Sequence, residues 1–275
     1  MTGEHSGTAG GEFYDAVYGA FEGQLAAMVR AEALGEDIGQ NSWLTAEEYR
    51  VFFDWLELGS SSEVLDVGSG SGGPALFMVS ETGCSVTGLE LHGAGVAAAN
   101  RAAGKRHLAA RARFVQGDGR EPLPFPTASF DALLCIDSIN HMFERLSVFG
   151  EWHRVLRPGG RALFTDPLTV TGLLRREEIL LRSGSLGEQV FTAHGVDERL
   201  LRAAGFDEVR IEDVTPNMAA VAAGRRRARA RHAAELAAVE GEQGNAAYDR
   251  YLAVVELLAR ERRLSRWAYL AARST

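Results

Sequence analysis

Three acidic residues stand near a glycine-rich turn in this sequence. Asp66 lies just before the turn in "EVLDVGSGSGG" (63–73), Glu90 follows in "VTGLEL", and Asp118 follows in "FVQGDG". A carboxylate can bind the two hydroxyls of a ribose, accept a hydrogen bond from an exocyclic amine, or face a cationic centre. The three residues therefore indicate a ligand that carries such groups.

The turn itself contains four glycines between Gly68 and Gly73. Glycine lowers the stability of strands and helices, so the cluster predicts a place where a ligand approaches the backbone at the start of a helix. Gly68, Gly70 and Gly73 also satisfy the G-x-G-x-x-G pattern, which leaves a nicotinamide or flavin dinucleotide open as the ligand. An anion as close as Asp66 disfavours a pyrophosphate. The carboxylates favour a phosphate-free ligand with a ribose, an amine and a cationic centre.

A histidine and an aspartate follow two later strand-like runs. His141 lies in "DSINHM" after the fourth run, and Asp166 lies in "FTDP" at the end of the fifth. The carboxyl ends of parallel strands meet at one edge of a sheet, so both side chains could approach one substrate. An imidazole is the natural general base for a hydroxyl group. The alternatives are a backbone-bonded histidine at a helix start and an aspartate that caps the next segment.

Short β-rich runs alternate with Ala-rich helical stretches over the middle of the chain. The runs are "SEVLDVG", "CSVTGLEL", "ARFVQGD", "FDALLCID" and "RALFTDP". This alternation predicts an α/β fold with a parallel sheet covered on both faces. "VLRPGG" (155–160) predicts a helix end, a turn and a new strand. The final run, "SRWAYLAAR", alternates like an exposed or edge strand.

Two segments fall outside this alternation. We expect an N-terminal helical cap over 1–60, a core over 61–216, an inserted helical lid over 217–263 and the last strand of the core over 264–275. Helices added to a doubly wound sheet often cover the mouth where ligands bind, although they could also be plain packing layers.

Composition excludes several classes of protein. The formal net charge of −8 disfavours binding to nucleic acid or to an anionic membrane. The first residues do not resemble a secretory signal, and no long apolar stretch predicts a membrane span. Cys84 and Cys135 lie in apolar runs, which indicates core residues in a reduced compartment. We expect a cytoplasmic protein with no metal site, and the sequence leaves a homodimer open.

These motifs together resemble the class I S-adenosylmethionine (SAM)-dependent methyltransferases. The resemblance rests on "EVLDVGSGSGG", "VTGLEL", "FVQGDG", "FPTASFDALLCIDSINHM" and "VLRPGGRALFTD", which follow in order over about residues 60–215. "EDIGQNSW" (36–43), "DSINHM" and "TDP" resemble the small-molecule branch, which includes sugar and natural-product O-methyltransferases and sarcosine/dimethylglycine N-methyltransferases. The resemblance implies a doubly wound, seven-stranded, Rossmann-like sheet whose last strand is antiparallel. It also implies SAM as the cofactor, with S-adenosylhomocysteine (SAH) as the product.

The resemblance also implies a set of cofactor-binding residues. They are Tyr14, Tyr18, Asn41, Asp66, Gly68, Ser69, Gly70, Glu90, Leu91, Asp118, Gly119 and Asp137. In this set Asp66 orders the turn near the methionine amine, Glu90 takes the ribose hydroxyls, and Asp118 with Gly119 takes the adenine. Tyr14 and Tyr18 are expected either to close over the methionine end or to pack as ordinary aromatic residues.

The implied activity is methyl transfer to oxygen or nitrogen of a small-molecule acceptor, with His141 and Asp166 beside the acceptor. A methyl group on a sulfonium is already activated, so positioning the acceptor in line dominates the chemistry. Many O-methyl relatives have two histidines where this chain has Asn140 and His141, so a two-histidine mechanism does not carry over. A dinucleotide-dependent oxidoreductase and a non-catalytic SAM-binding protein are the alternatives.

The Arg-dense run "RRRARAR" (225–231) lies in an Ala-rich helical stretch that acidic residues follow. Such a run usually forms one solvated face of a helix. The alternative is that it contacts an acceptor carrying a carboxylate or a phosphate.

Overall fold

A mostly parallel β-sheet forms the centre of the computed structural model, which describes residues 23–183 and 188–275. The strands are β1 (Glu63–Val67), β2 (Ser85–Glu90), β3 (Ala112–Gln116), β4 (Phe130–Ile136), β5 (Leu156–Val170), β6 (Thr192–Ala193), β7 (Phe206–Asp213) and β8 (Leu264–Arg273). Their order in space is β3-β2-β1-β4-β5-β8-β7, and the two-residue β6 pairs with β5 in addition. The predicted α/β doubly wound fold is confirmed.

The register of the central strands sets the position of the acidic residues. Asp66 of β1 lies opposite Gly88 of β2 and Leu134 of β4, so these strands reach their carboxyl ends at one edge. Val64 and Leu65 of β1 are fully buried, as expected for a parallel strand with a helical layer on each face. The chain turns that follow β1, β2 and β4 therefore meet at this edge.

The last strand, β8, is antiparallel to both of its neighbours, as predicted, but it is not an edge strand. It lies between β5 and β7, and the aromatic rings of Tyr269 in β8 and Phe164 in β5 stack with centroids 4.6 Å apart. The polar residues at the start of this run, Ser265 and Arg266, are buried. The edge-strand prediction was wrong because these polar groups are satisfied inside the protein.

The motif "VLRPGG" also differs from the prediction. Helix α5 (Arg145–Val155) ends there, but β5 begins at the next residue. In place of the expected turn, the pairing of β4 with β5 is irregular, and its register shifts between Phe130 and Ala132. Gly159 takes a left-handed conformation (φ 79°) within this irregular stretch.

Helices cover the sheet and extend beyond it. Besides α5, the described helices are α1 (Gln24–Leu34), α2 (Ala46–Trp55), α3 (Gly73–Thr82), α4 (Gly93–Lys105), α6 (Arg176–Ser183), α7 (Val196–Ala203), α8 (Thr215–Arg231), α9 (Ala233–Glu240) and α10 (Glu242–Arg260). The Thr45 hydroxyl caps α2 by accepting a hydrogen bond from the Glu48 N–H. Pro74 lies in the first turn of α3, and Gly83 ends that helix with φ 74°. In the described ranges, no helix combines the length and the apolar character that a membrane crossing requires.

The helices near the C-terminus pack against the loop that precedes α2. Trp43 of this loop shares a hydrophobic cluster with Met218 and Val221 of α8 and with Leu252 and Val255 of α10. The loop therefore lies between the inserted helices and the carboxyl edge of the sheet.

Candidate active site

A cavity of about 160 Å³ opens at the carboxyl edge of β1 and β4. Its lining residues are Gly39, Asn41, Ser42, Trp43, Tyr49, Asp66, Gly68, Ser69, Gly70, Ser71, Pro74, Ile136, Asp137, Ser138, Asn140, His141, Pro167, Arg182, Gln189, Arg225, Tyr248 and Tyr251. The cavity thus unites the glycine turn, the loop before α2, the end of β4 and the inserted helices.

The cavity contains about half of the residues that the sequence analysis selected. Asn41, Asp66, Gly68, Ser69, Gly70, Asp137 and His141 line it. Glu90, Leu91, Asp118, Gly119 and Asp166 lie outside its lining. Tyr14 and Tyr18 lie outside the described residues.

The backbone conformation of the turn favours glycine, and two of its glycines also line the cavity. Gly68, Gly70 and Gly72 have φ values of 77°, 57° and 78°, a region that favours glycine. A Cβ on Gly68 would lie 2.6 Å from the Ser138 Oγ, and one on Gly72 would lie 2.7 Å from the Ala99 Cβ. The protein's own packing therefore requires Gly68 and Gly72. Gly68 and Gly70 also line the cavity.

Asp66 is a buried carboxyl group at the cavity wall, with 5% of its surface exposed. Burial, reinforced by the nearby Glu90 carboxylate, raises the pKa of Asp66 to about 7. A cationic group of a ligand would offset both effects by favouring the ionised carboxylate. The environment of Asp66 therefore suits a positively charged ligand group.

Glu90 connects the end of β2 to the glycine turn. Its Oε2 accepts a hydrogen bond of 2.8 Å from the Gly70 N–H, and its Oε1 accepts one of 2.9 Å from the His92 N–H. Each carboxylate oxygen can accept more than one hydrogen bond. Glu90 is thus fixed by backbone donors and still has acceptor capacity for hydroxyl groups.

The residues expected at the adenine follow the carboxyl ends of β2 and β3. Asp118 forms an ion pair with Arg120 (2.6 Å), and Leu91 is an exposed apolar side chain. Gly119 passes close to β1, since a Cβ there would lie 2.7 Å from the Val67 Cγ1. Leu91 thus provides an apolar surface after β2, and Asp118 provides a carboxylate after β3.

Asp137 follows β4 and connects three parts of the chain. Its carboxylate accepts hydrogen bonds from the Trp43 N–H (2.8 Å), the Thr165 hydroxyl (2.7 Å) and the Arg266 Nε (2.7 Å). Arg266 is fully buried and also pairs with Glu48 of α2 at 2.7 Å. Burial opposes the charge of Arg266, but the Asp137 and Glu48 carboxylates outweigh it and raise its pKa. Asp137 therefore holds the loop before α2 on the sheet.

His141 ends a short 3-10 helix (Ile139–His141) after β4 and lines the cavity. Its Nδ1 lies 3.2 Å from the carbonyl oxygen of Glu188. A carbonyl oxygen only accepts, so Nδ1 carries the proton of the neutral ring and the lone pair is on Nε2. Burial lowers the pKa of His141 below its usual 6.5. The imidazole is therefore neutral near pH 7, as a general base must be.

Asp166 does not approach the cavity, contrary to the expectation from the sequence. Its carboxylate is fully buried, accepts a hydrogen bond from the Leu168 N–H and pairs with Arg145 at 2.7 Å. Arg145 also pairs with Asp197 at 2.5 Å, and burial raises the pKa of Asp197 to about 6. The expectation was wrong because β5 continues to Val170, so Asp166 lies inside the strand and not at its end.

The far end of the cavity contains two tyrosines that were not predicted from the sequence, together with the first arginine of the Arg-dense run. Tyr248 and Tyr251 of α10 stack with centroids 5.7 Å apart, and the Tyr251 hydroxyl accepts a hydrogen bond of 2.7 Å from Arg182. Arg225, the first residue of the Arg-dense run, is buried and donates to the Ser42 carbonyl oxygen at 2.7 Å. The solvated-face interpretation is wrong for this position. The available signal was a tyrosine pair at helical spacing.

Several buried polar atoms at the cavity have no hydrogen-bond partner in the part of the chain that the structure describes. They are the Ser69 Oγ, the Asn140 Oδ1 and the Gln189 Oε1. Such atoms are costly to bury unless a ligand or water satisfies them. The two amide oxygens and the Ser69 hydroxyl, together with Asp66, fit a phosphate-free ligand that carries an ammonium group and ribose hydroxyls. A pyrophosphate at this turn would face the Asp66 and Glu90 carboxylates, which disfavours a dinucleotide.

Comparison with known proteins identifies the class. Residues 65–164 match the family described as "Methyltransferase domain". The 27-O-demethylrifamycin SV methyltransferase of Amycolatopsis mediterranei is 36% identical over 162 residues, which cover 58% of this chain and 59% of that protein. The fatty-acid O-methyltransferase of Mycolicibacterium smegmatis is 44% identical over 105 residues, which cover 38% of this chain and 36% of that protein. The chain thus spans less than two thirds of the length of these curated relatives.

Solved structures agree on the fold. The cyclopropane synthase MmaA2 from Mycobacterium tuberculosis has a TM-score of 0.79 at 18% identity, and the match covers 96% of this chain and 98% of that one. The cyclase SpnF has a TM-score of 0.74 at 24% identity, over 96% and 95% of the two chains. The family match therefore indicates a methyltransferase domain at residues 65–164, and the fold agrees with it. The resemblance seen in the sequence is confirmed, and SAM is the cofactor of such a domain.

Proposed function

We propose that this protein transfers a methyl group from SAM to an oxygen or nitrogen atom of a small molecule bound in the cavity. One observation carries the proposal: a single cavity joins the buried carboxyl group of Asp66 and the turn at Gly68–Gly70 to the imidazole of His141. A protein that only bound SAM would not need a cavity that extends past the turn to a neutral imidazole and two tyrosines. The curated relatives, which methylate rifamycin-type and fatty-acid compounds by their names, support a small-molecule acceptor.

In this proposal, the turn and the strand ends hold the cofactor. Asp66 faces the ammonium group, and the backbone of Gly68–Gly70 passes along the methionine part. Glu90 accepts hydrogen bonds from the ribose hydroxyls while it remains bound to the Gly70 N–H. Asp118 and Gly119, with the exposed Leu91, hold the adenine outside the cavity. When bound, SAM supplies a methyl group on a sulfonium.

Asn41, Ser69 and Asp137 complete the proposed cofactor set. Asn41 and Ser69 line the cavity beside the turn. Asp137 acts indirectly, because its carboxylate is already occupied by Trp43, Thr165 and Arg266. We assign Asp137 to positioning the loop before α2, which forms one wall of the cavity.

His141 acts on the acceptor. If the acceptor is a hydroxyl group, its proton moves to the Nε2 lone pair while the Nδ1 N–H donates to the Glu188 carbonyl oxygen. If the acceptor is an amine, it attacks in its neutral form, and His141 then orients it without taking a proton in the transition state. Asp166 has no part in this mechanism, since Arg145 holds it inside the sheet.

Transfer of label from methyl-labelled SAM to a small-molecule library tests the function. We expect label in an acceptor with the wild-type protein and a strongly reduced rate with His141→Ala. SAH binding measured in parallel separates the alternatives. SAH binding without transfer to any acceptor supports a non-catalytic SAM-binding protein, and binding of NAD in place of SAH supports an oxidoreductase.

The setting of the reaction is a further part of the proposal. Cys84 and Cys135 are free and buried, which suits a reduced, cytoplasmic compartment.

A further inference from the structure

Two buried arginines at the cavity lack the carboxylate partner that the other buried arginines have. Among the described residues, the buried arginines are Arg145, Arg182, Arg225, Arg229 and Arg266. Arg145 pairs with two aspartates, Arg266 with an aspartate and a glutamate, and Arg229 with a glutamate. No carboxylate of the described residues pairs with Arg182 or Arg225, and both line the cavity.

Arg182 is held by neutral groups only. It is 2% exposed, donates from Nη1 to the Tyr251 hydroxyl at 2.7 Å, and approaches the Pro167 carbonyl oxygen at 3.4 Å. Its guanidinium carbon lies 5.2 Å from the centroid of the Tyr251 ring. Its Nε is buried and has no hydrogen-bond partner among the described residues. Arg182 thus keeps a buried donor and an uncompensated charge.

Arg225, from α8, is also held by neutral groups. Its Nη2 donates to the carbonyl oxygens of Asn41 (3.1 Å) and Ser42 (2.7 Å). Its guanidinium carbon lies 5.1 Å from the centroid of the Trp43 ring, and that of Arg182 lies 6.0 Å from the same centroid. The two charges therefore share one aromatic ring and face the same end of the cavity.

Burying an unpaired guanidinium is costly, and carbonyl oxygens and ring faces offset only part of that cost. An oxyanion in the cavity would supply the missing charge and accept the remaining N–H groups, for which the planar guanidinium is well suited. We propose that Arg182 and Arg225 bind an anionic group of the methyl acceptor, a carboxylate or a phosphate. The rings of Trp43, Tyr248 and Tyr251 would contact the apolar part of the same molecule.

This inference rests on the proposed function, because it assigns the class of acceptor. The cofactor also carries a carboxylate, so the position of the arginines matters. Arg182 is held by Pro167 within β5 and by Tyr251 of α10, which are not elements of the glycine turn. An anion-bearing acceptor is therefore the occupant that we assign to this end of the cavity.

The test uses the full-length protein saturated with SAH, so that the cofactor carboxylate is already in place. Binding of benzoate, phenyl phosphate and the neutral benzamide is measured by calorimetry. We expect benzoate or phenyl phosphate to bind at least about tenfold more tightly than benzamide, and the stronger of the two distinguishes a carboxylate from a phosphate. Arg182→Gln and Arg225→Gln should each remove this preference while SAH affinity changes less than about twofold.

Arg227→Gln is the matched control, because Arg227 lies in the same helix but is exposed. It should leave the preference for anions unchanged. Equal binding of benzoate, phenyl phosphate and benzamide to the wild-type protein would overturn the inference without requiring any variant to fold. A large loss of SAH affinity in Arg182→Gln and Arg225→Gln would also overturn it, since the arginines would then hold the cofactor. Failure of the wild-type protein to bind SAH would instead contradict the proposed function.

Discussion

The Gly70 N–H donates a hydrogen bond of 2.8 Å to the Glu90 Oε2 and so joins the glycine turn to the end of β2. The glycine turn is therefore directly connected to Glu90, the residue that is proposed to bind the ribose hydroxyls. A change in either residue is expected to alter cofactor binding through the other.

Glu90→Ala should weaken SAH binding by about 1–3 kcal/mol, roughly 5- to 150-fold, because it removes charge-assisted hydrogen bonds to buried hydroxyls. Calorimetric titration of SAH measures the change. Glu63→Ala, at the exposed amino end of β1, is the control and should bind as the wild type does. Wild-type affinity in Glu90→Ala would show that the ribose lies elsewhere.

Asp66 should make cofactor binding depend on pH. Burial and the neighbouring Glu90 raise its pKa to about 7, so the empty site is increasingly protonated below that pH. SAH affinity should therefore fall as the pH decreases from 8 to 6 (about one pH unit on either side of that pKa). Asp66→Asn should bind weakly and show less of this dependence. An identical pH profile in the two proteins would exclude Asp66 as the ligand of the ammonium group.

The Asp66 carboxyl group should also affect the stability of the ligand-free protein. In contrast to SAH affinity, this stability should decrease as the pH rises. The folded state holds a proton on Asp66 up to about pH 7, whereas the unfolded chain loses it near its ordinary value of 3.8. The contribution of Asp66 to the free energy of unfolding therefore decreases as the pH rises between these two values and is constant above them. Urea denaturation at several pH values, compared with Asp66→Asn, measures this contribution.

His141→Ala should lower methyl transfer to a hydroxyl acceptor by about 10²- to 10⁴-fold and leave SAH affinity unchanged. Burial lowers the pKa of His141 below 6.5, so the wild-type rate should fall only at pH values below that range. The variant should lack this limb. For an amine acceptor the limb would persist, because it reports the proton of the amine. Full activity of His141→Ala would remove the imidazole from the mechanism.

Asp166→Ala should act on stability and not on the reaction. Removing one carboxylate from the buried group with Arg145 is expected to lower the free energy of unfolding by about 3–5 kcal/mol. Chemical denaturation measures this loss, and SAH titration of the folded variant should give the wild-type affinity. Loss of activity without loss of stability would restore Asp166 to the catalytic site.

The sequence was sufficient to predict the sheet and the position of the glycine-rich turn, because these depend on local patterns. Asp66 and Glu90 were located by short apolar runs that end in Gly or an acidic residue. The positions of Asp166 and Arg266 were not predictable in this way. β5 continues past Asp166, and Arg266 is buried only because Asp137 and Glu48, from distant parts of the chain, neutralise it.

The acceptor end of the cavity was the least predictable part. Arg182 and Arg225 belong to helices whose sequences are typical of exposed, charged surfaces. Their burial depends on how these helices pack against Trp43 and Tyr251, which are far from them in sequence. Pairwise contacts of this kind leave no periodic pattern in the chain.

Titration of SAH into a Gly70→Val variant tests whether the glycine turn binds SAM in the cavity. Gly70 lines the cavity at φ 57°, and the added side chain would occupy the path of the methionine part. Gly83→Val is the matched control, because it imposes similar backbone strain (φ 74°) at the end of α3. We predict that SAH binding falls by about 100-fold or more in Gly70→Val, equivalent to about 2.8 kcal/mol, and is retained in Gly83→Val. Wild-type SAH affinity in a folded Gly70→Val protein would contradict SAM binding at this turn. A wild-type protein that binds NAD and does not bind SAH would contradict it as well.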